Sequence, residues 1–392
     1  MKQIILRPAL HRFETCGQFA EEFQIGKGDL IITNEYIFQP CFGELKLPAD
    51  VVYQEKYGAG EPSDDMFEAM YADIAKLGRH RRIIGIGGGT VLDLSKLFSL
   101  KNIHPVTDLY DRKLEVAKDK ELVLVPTTCG TGSEVTNISI LAFNGRHSKL
   151  GLAADELYAT DAVLIPELLR GLPFRFFATS SIDALVHSVE SSLSPKATPY
   201  TKLFGYKAME MILKGYQKIA RDGEEARFPL LGDFIVASNF AGFAFGTAGC
   251  AAVHAMSYPL SGTFHVAHGE ANYALFTGVL KNYMEIDPNG KISELNRFLA
   301  GLLGIGGGMT LVPILATLFA AQSLAPDYNV HLALGTGMAS VLFTSSASVR
   351  EHHRHAAVDW RIVKDMVLAW VLTFPGCGLL GYLFALVFMK IF

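Results

Sequence analysis

The sequence predicts an α/β nucleotide-binding domain with a parallel sheet, then an all-α metal-binding domain, then an apolar helical tail of membrane-like composition. Three observations predict it. Short apolar runs alternate with helix-like stretches up to about residue 165. Beyond Pro173 apolar positions recur at helical spacing. After residue 300 charge almost vanishes: residues 1–300 carry 65 of the 74 Asp, Glu, Lys and Arg residues, and 301–392 carry nine. Three segments are therefore expected, at 1–174, 175–300 and 301–392.

Residues 30–33, 51–54, 82–86 and 122–125 are apolar runs of strand length. The stretches 66–77 and 91–99 between them fit helices. Such alternation covers both faces of a sheet and pairs its strands in parallel. Ligands then sit beyond the carboxyl ends of the strands. In the second segment, 176–192, 201–219, 230–245 and 270–283 fit helices.

The tail differs. Residues 298–326 and 366–389 contain no charged side chain. Each exceeds the roughly 18–20 apolar residues that cross a bilayer. Residues 331–349 form a weaker third stretch. Arg350, Arg354, Arg361 and Lys364 between the second and third stretches would face the cytoplasm by the positive-inside rule. A buried helical core is the alternative reading.

A net charge of −4 leaves no basic footprint for nucleic acid. Cys16, Cys41, Cys129, Cys250 and Cys377 are scattered and odd in number, which fits a reducing cytoplasm. The N-terminus has no secretory-signal pattern.

Residues 83–90, IIGIGGGT, read as strand, glycine turn and helix start. Thr90 stands where the dinucleotide fingerprint needs a glycine. Consecutive glycines still let backbone N–H groups approach a pyrophosphate, and the helix start adds its positive end. A second run, PTTCGTGSEVT at 126–136, follows the strand at 122–125 with hydroxyls and glycines. Either run alone reads equally as a turn or a surface loop. Two of them after two strands make a polar floor.

Asp183 and His187 stand one helical turn apart, on one face. His254 and His268 follow. One carboxylate and three imidazoles suit a divalent first-row cation. Against that, Ser180–Asp183 has the form of a capping box, in which Asp183 only closes a helix start. His265 is a further imidazole beside His268, suited to proton relay.

Gly87-Gly88-Gly89-Thr90-x-x-Asp93-x-x-Lys96, PTTCGTGSEVT, Asp183-x-x-x-His187 and His254…His268 together resemble the iron-containing (group III) alcohol dehydrogenases. The likeness runs over about residues 1–300. The segments GKGDLIITNEY, QEKYGAGEPSD, ASNFAGFAFGTAG and HVAHGEANY resemble the branch acting on 4-hydroxybutyrate. The resemblance implies Fe²⁺, or Zn²⁺, held by Asp183, His187, His254 and His268. It implies NAD along Asn34, Gly87, Gly88, Gly89, Thr90, Asp93, Thr127, Thr128, Ser133 and Lys149. Many relatives carry Asp where Asn34 stands, against the adenosine ribose. Tyr258 takes a place that is often His near the nicotinamide, so the proton path runs through Tyr258, His265 or water. The implied reaction passes hydride between NAD(H) and 4-hydroxybutyrate or succinate semialdehyde, or another short-chain alcohol. A small-molecule substrate and a homo-oligomer are expected. Arg146 is a candidate for the distal carboxylate.

The helical domain of that family continues past residue 300 with amphipathic helices, so here it reads as truncated. Instead, GIGGG at 304–308, Leu311-Val-Pro313, Gly335-Thr336 and AVDW at 357–360 resemble the sulfite-exporter-type permeases. Residues 369–375 resemble the last span of inorganic phosphate transporters. The chain reads as composite, with membrane association expected through 301–392. The rival reading is a transporter fragment with an inactive dehydrogenase-like head.

Overall fold

The computed structural model describes residues 3–264, 266 and 268–303, all within one compact unit. The three apolar stretches of the tail lie outside the described residues beyond Leu303, and so does His265.

The chain begins with β1 (Ala9–Arg12) and α1 (Cys16–Glu22). Strands and helices then alternate: β2 (Asp29–Thr33), α2 (Glu35–Phe42), β3 (Asp50–Tyr53), α3 (Asp64–Ile74), β4 (Arg82–Gly87) and α4 (Gly89–Phe98). A short α5 (Val106–Tyr110) leads to β5 (Glu121–Pro126). An antiparallel ribbon of β6 (Ile138–Phe143) and β7 (Ser148–Ala153) precedes β8 (Asp161–Leu164).

The main sheet has the order β1-β8-β5-β4-β2-β3, with every neighbouring pair parallel. Ile31 pairs with Val51 and Ile84, and Ile84 with Val123. Ile31, Ile84 and Val123 are buried, as the middle of a sheet covered on both faces requires. From β2 the chain steps to β3 on one side and returns to β4 on the other. The strand order therefore reverses between β2 and β4, which opens a crevice beyond their carboxyl ends. Thr33 and Gly87 end those two strands and flank it.

The expected strands at 30–33, 51–54, 82–86 and 122–125 fall on β2 to β5. The sequence reading misses β1, β8 and the ribbon. β1 reads ALHR, without alternation or an apolar run. In β6 the half-buried face carries Ile138, Ile140 and Ala142, so apolar residues lie on both faces and the polar alternation disappears.

From Phe174 onward every described element is a helix, apart from one 3₁₀ segment. These are α6 (Phe174–Leu193), α7 (Pro199–Asp222), α8 (Leu231–Ala248), α9 (Ala252–Phe264), α10 (His268–Ile286) and α11 (Lys291–Leu303). Thr198 caps α7 through a reciprocal pair with Thr201, and Pro199 pre-sets its first turn. Phe177 and Val186 of α6, Ile212 and Tyr216 of α7, and Phe234 and Ala241 of α8 share one buried core. The stretch Glu224–Ala248 is long and apolar enough to cross a membrane, yet more than half of it is buried. Being apolar all round, α8 reads as the central helix of the bundle. α11 runs across the segment boundary expected at 300.

Two expectations are corrected here. α6 starts at Phe174, well before Asp183, so Asp183 lies inside the helix and is no capping residue. Arg146 sits at the turn between β6 and β7 and grips Asp111 with both arms of its guanidinium, at 2.7 and 2.9 Å. That pairing occupies the fork a substrate carboxylate would need.

Candidate active site

Helix α6 supplies Asp183 and His187, α9 supplies His254, and α10 opens with His268. One donor atom from each lies within 4.8 Å of all the others. Asp183 Oδ1 is 3.6 Å from His254 Nε2 and 3.8 Å from His268 Nε2, and Asp183 Oδ2 is 3.9 Å from His187 Nδ1. Donors about 2.0–2.2 Å from a tetrahedrally held ion stand roughly 3.3–3.6 Å apart. The observed spacing is a little wider, and these four side chains would hold one cation after a small closing of the set. Asp183, His187 and His254 are buried, while the His268 side chain is 30 % exposed and leaves one side open. Burial alone would raise the Asp183 carboxyl; the three imidazoles outweigh it and hold the group well below the usual carboxylate range. One carboxylate and three imidazoles at this spacing fit Fe²⁺, and equally Zn²⁺.

The ring orientations have their own supports. Glu190 lies one turn beyond His187 on α6 and is fully buried. Its Oε2 accepts from His254 Nδ1 at 2.6 Å, which aims His254 Nε2 at the other three donors. Glu190 also accepts from the backbone N–H groups of Ala251 and Val253, at 3.0 and 2.6 Å, and so caps α9. The His187 ring stacks between Phe245, 4.1 Å away, and His254, 4.5 Å away. Its Nδ1 lies 3.3 Å from the carbonyl of Gly130. A second donor group, Glu190, Cys250 and His254, is closed by the 2.6 Å hydrogen bond, which leaves no room for an ion between its oxygen and nitrogen. Against burial, His187 and His254 draw the Cys250 thiol down to about 7.

Gly130 belongs to the loop after β5, and this loop joins the two halves of the site. Thr127 N–H donates to the Gly87 carbonyl at 3.0 Å, tying the loop to the glycine turn after β4. Gly88 faces Thr128, and Gly89 faces Thr131. On the other side, a Cβ at Gly130 would stand 2.5 Å from the Ser180 carbonyl of α6. Gly132, at φ +55°, lies equally close to Gly242 of α8. Gly87, Gly88, Gly89, Thr127 and Thr128 thus lie on the turn after β4 and on the loop tied to it, and that loop reaches His187 at Gly130. Asn34 stands at the end of β2 and donates to Gln54 and Glu55 at 3.2 and 2.9 Å. Thr90 turns away, donating to the Gly60 carbonyl.

Asp93 and Ser133 take a different place from the one expected. Asp93 Oδ1 accepts from Ser133 Oγ at 2.6 Å, and Oδ2 accepts from the Ile140 backbone at 3.0 Å. Lys96, fully buried, donates to Ser133, Thr136 and the Ile138 carbonyl at 2.7, 3.2 and 2.6 Å. Both Asp93 oxygens are committed to the chain, so Asp93 braces the loop. Burial lowers the Lys96 amine, though Asp93 opposes it.

Glu134 continues this network into the helices. Its Oε1 accepts from Asn239 Nδ2 of α8 at 2.9 Å, while Oε2 is buried without a partner. Burial raises its carboxyl above the usual range. A carboxyl raised on folding stabilises most below its unfolded value and loses that contribution as pH rises through its folded value. Glu134→Gln is therefore expected to gain melting temperature over the parent at pH 8, by more than at pH 5. An equal loss at both would instead mean an ionised Glu134 held by Lys96.

Tyr258 is 40 % exposed, with its ring parallel to that of His268 at 6.4 Å. Lys149 of β7 is ion-paired with Glu61. The sequence reading does not single out Glu190 or Asn272. Glu190 is three residues past His187, and Asn272 four past His268, so both share a helix face with a ligand. That spacing was the available signal.

Residues 10–166 match the family model of iron-containing alcohol dehydrogenase, and 177–312 match the C-terminal model of the same family. Residues 295–392 match the model of the sulfite exporter TauE/SafE. The chain is 51 % identical over 303 residues to 4-hydroxybutyrate dehydrogenase of Clostridium kluyveri, covering 77 % of this chain and 81 % of that one. It is 37 % identical over 233 residues to long-chain-alcohol dehydrogenase 1 of Geobacillus thermodenitrificans, covering 58 % of each. The fold resembles that of sulfoacetaldehyde reductase from Bifidobacterium kashiwanohense, solved with NAD⁺, at a TM-score of 0.67 and 19 % identity, covering 82 % of this chain and 85 % of that one. Over its first three hundred residues, the chain belongs to the iron-containing alcohol dehydrogenase family.

Proposed function

We propose that the dehydrogenase part interconverts 4-hydroxybutyrate and succinate semialdehyde with NAD(H), and that Asp183, His187, His254 and His268 hold one Fe²⁺ or Zn²⁺ for that purpose. The gathering of those four donors, beside the loop that follows β5, carries the reading. Likeness to the Clostridium kluyveri enzyme supports the choice of substrate.

When bound, the cation supplies Lewis acidity towards the alcohol oxygen, and NAD supplies the hydride acceptor. The chain's residues do the rest. Glu190 fixes the His254 tautomer. Gly87, Gly88, Gly89, Thr127 and Thr128 offer a close, polar approach to a pyrophosphate at the switch point of the sheet. Asn34 and Lys149 stand as further cofactor contacts. Asp93, Lys96 and Ser133 keep the second loop in place. Tyr258, whose ring lies 6.4 Å from that of His268, and His265 are the candidates for passing a proton outward. The test is NADH absorbance with 4-hydroxybutyrate, with and without added Fe²⁺. Cation-dependent reduction of NAD is expected. Metal-loaded chain that reduces NAD with 1-butanol but not with 4-hydroxybutyrate would replace the substrate and keep the site.

The proposed division is 1–174 for the nucleotide, 175–300 for the metal and 301–392 for the tail. We propose that the tail associates with a membrane while the dehydrogenase part works in the cytoplasm as a homo-oligomer. The sulfite-exporter match and the loss of charge support the membrane association. The full chain is expected in the membrane pellet on fractionation, released by detergent and not by high salt. Recovery in the soluble fraction would refute it.

A further inference from the structure

Asn272 lies one helical turn beyond His268 on α10 and is fully buried. Its Nδ2 is 2.7 Å from Asp183 Oδ1, 3.1 Å from His254 Nε2 and 3.2 Å from His268 Nε2. One nitrogen thus touches three of the four proposed ligand atoms. The 2.7 Å contact fixes which end of the amide faces them, since an oxygen so near a carboxylate would be repelled. An amide has two hydrogens for these three neighbours, so one is left with half a bond. The other end is worse placed: Oδ1 is buried and has no hydrogen-bond partner. A buried carbonyl oxygen without a donor is costly and uncommon. The side chain therefore stands in a posture that suits the ligand set and not itself.

A cation joining the same three atoms reverses that balance. Its charge repels the N–H hydrogens that now point at the ligands, and it takes the lone pairs they accept with. A half-turn about the terminal side-chain torsion exchanges Nδ2 for Oδ1, and this torsion is soft for an amide. The turn gives the orphaned oxygen a positive partner and moves the two N–H hydrogens into the buried position that the oxygen leaves.

We propose that Asn272 is a metal-responsive residue: its amide holds Asp183, His254 and His268 together before the cation arrives, then turns its oxygen to the cation as an additional ligand. This rests on the metal reading above, and it adds a residue to that site.

Full-length wild type, Asn272→Ala and Asn272→Asp test it, with Zn²⁺ as the probe. Affinity is measured by competition with a coloured chelator, and melting temperature with and without Zn²⁺. Asn272→Ala is expected to weaken Zn²⁺ by about 10–100-fold, as loss of a ligand-supporting group does. Metal-free Asn272→Ala should melt roughly 2–6 °C below wild type. Asn272→Asp offers oxygen at both ends and should bind Zn²⁺ at least about 10-fold tighter than wild type, as an added anionic donor does. Opposite effects of the two variants on affinity are the signature. A packing role would instead lower both melting temperatures alike and leave Zn²⁺ affinity unchanged, which overturns the proposal. Wild type that takes up no Zn²⁺ sinks the metal reading beneath it; wild type that binds, with Asn272→Asp no tighter, sinks this inference alone.

Discussion

Asp183→Ala is expected to lower kcat/KM for 4-hydroxybutyrate by at least about 1,000-fold at saturating NAD. Asp183 is the one carboxylate of the set and the hub of it, within 3.6, 3.8 and 3.9 Å of the three imidazoles. Without it three neutral donors remain, and the buried charge that offsets the cation is gone. Asn272 also loses its shortest hydrogen bond. The variant should keep its fold, because the removed side chain is held by the other ligands and by Asn272, and not by the hydrophobic core. Circular dichroism checks the fold and NADH absorbance checks the rate. A folded variant that loses less than tenfold would remove Asp183 from the chemistry.

The second large effect is structural. Gly132→Ala is expected to cost about 3–5 kcal/mol, the range of a severe substitution, and to lower the melting temperature by roughly 10 °C. Two faults coincide there. The backbone stands at φ +55°, which costs an L-residue about 1–2 kcal/mol. The new methyl would also lie 2.5 Å from Gly242 Cα and 3.0 Å from the Ser238 carbonyl, both of them α8 backbone that cannot rotate aside. Gly242→Ala attacks the same contact from the helix, meeting Val135 at 2.6 Å and the Gly132 carbonyl at 2.7 Å. The double variant should therefore lose less than the sum of the two. Gly145→Ala is the control, since nothing lies within 4 Å of its added methyl. Thermal melts of the four proteins decide it. Gly132→Ala matching Gly145→Ala would mean that the loop does not press on α8 as described.

The strands β2 to β5 announce themselves because both sheet faces are covered, leaving near-continuous apolar runs such as LVLV in β5. β1 holds its place through a partner far along the chain, as Ala9 with Asp161, and carries no local pattern of comparable strength, whereas β8 carries a buried apolar run of its own. The proposed metal donors were legible because Asp183 and His187 stand at helical spacing. Glu190 and Asn272 were not, since either would pass as an ordinary polar residue until its neighbour is known to be a ligand. Asp93 shows the converse. It was read as a cofactor contact, whereas its oxygens serve Ser133 and Ile140, more than 35 residues onward. No local spacing encodes that pairing. Arg146 was misread for the same reason, its partner Asp111 lying on the far side of β5 in sequence. The change of character after residue 300 was plain from charge alone, and the sulfite-exporter match begins at residue 295.

Metal content, measured on the full chain and on His254→Ala after identical loading with Fe²⁺ and desalting, tests the joint grip of one cation most directly. His254 is held by Glu190 on one side and faces the other three donors on the opposite side. The account predicts about one ion per parent chain and a variant stripped to background. Equal metal in the two proteins would contradict it.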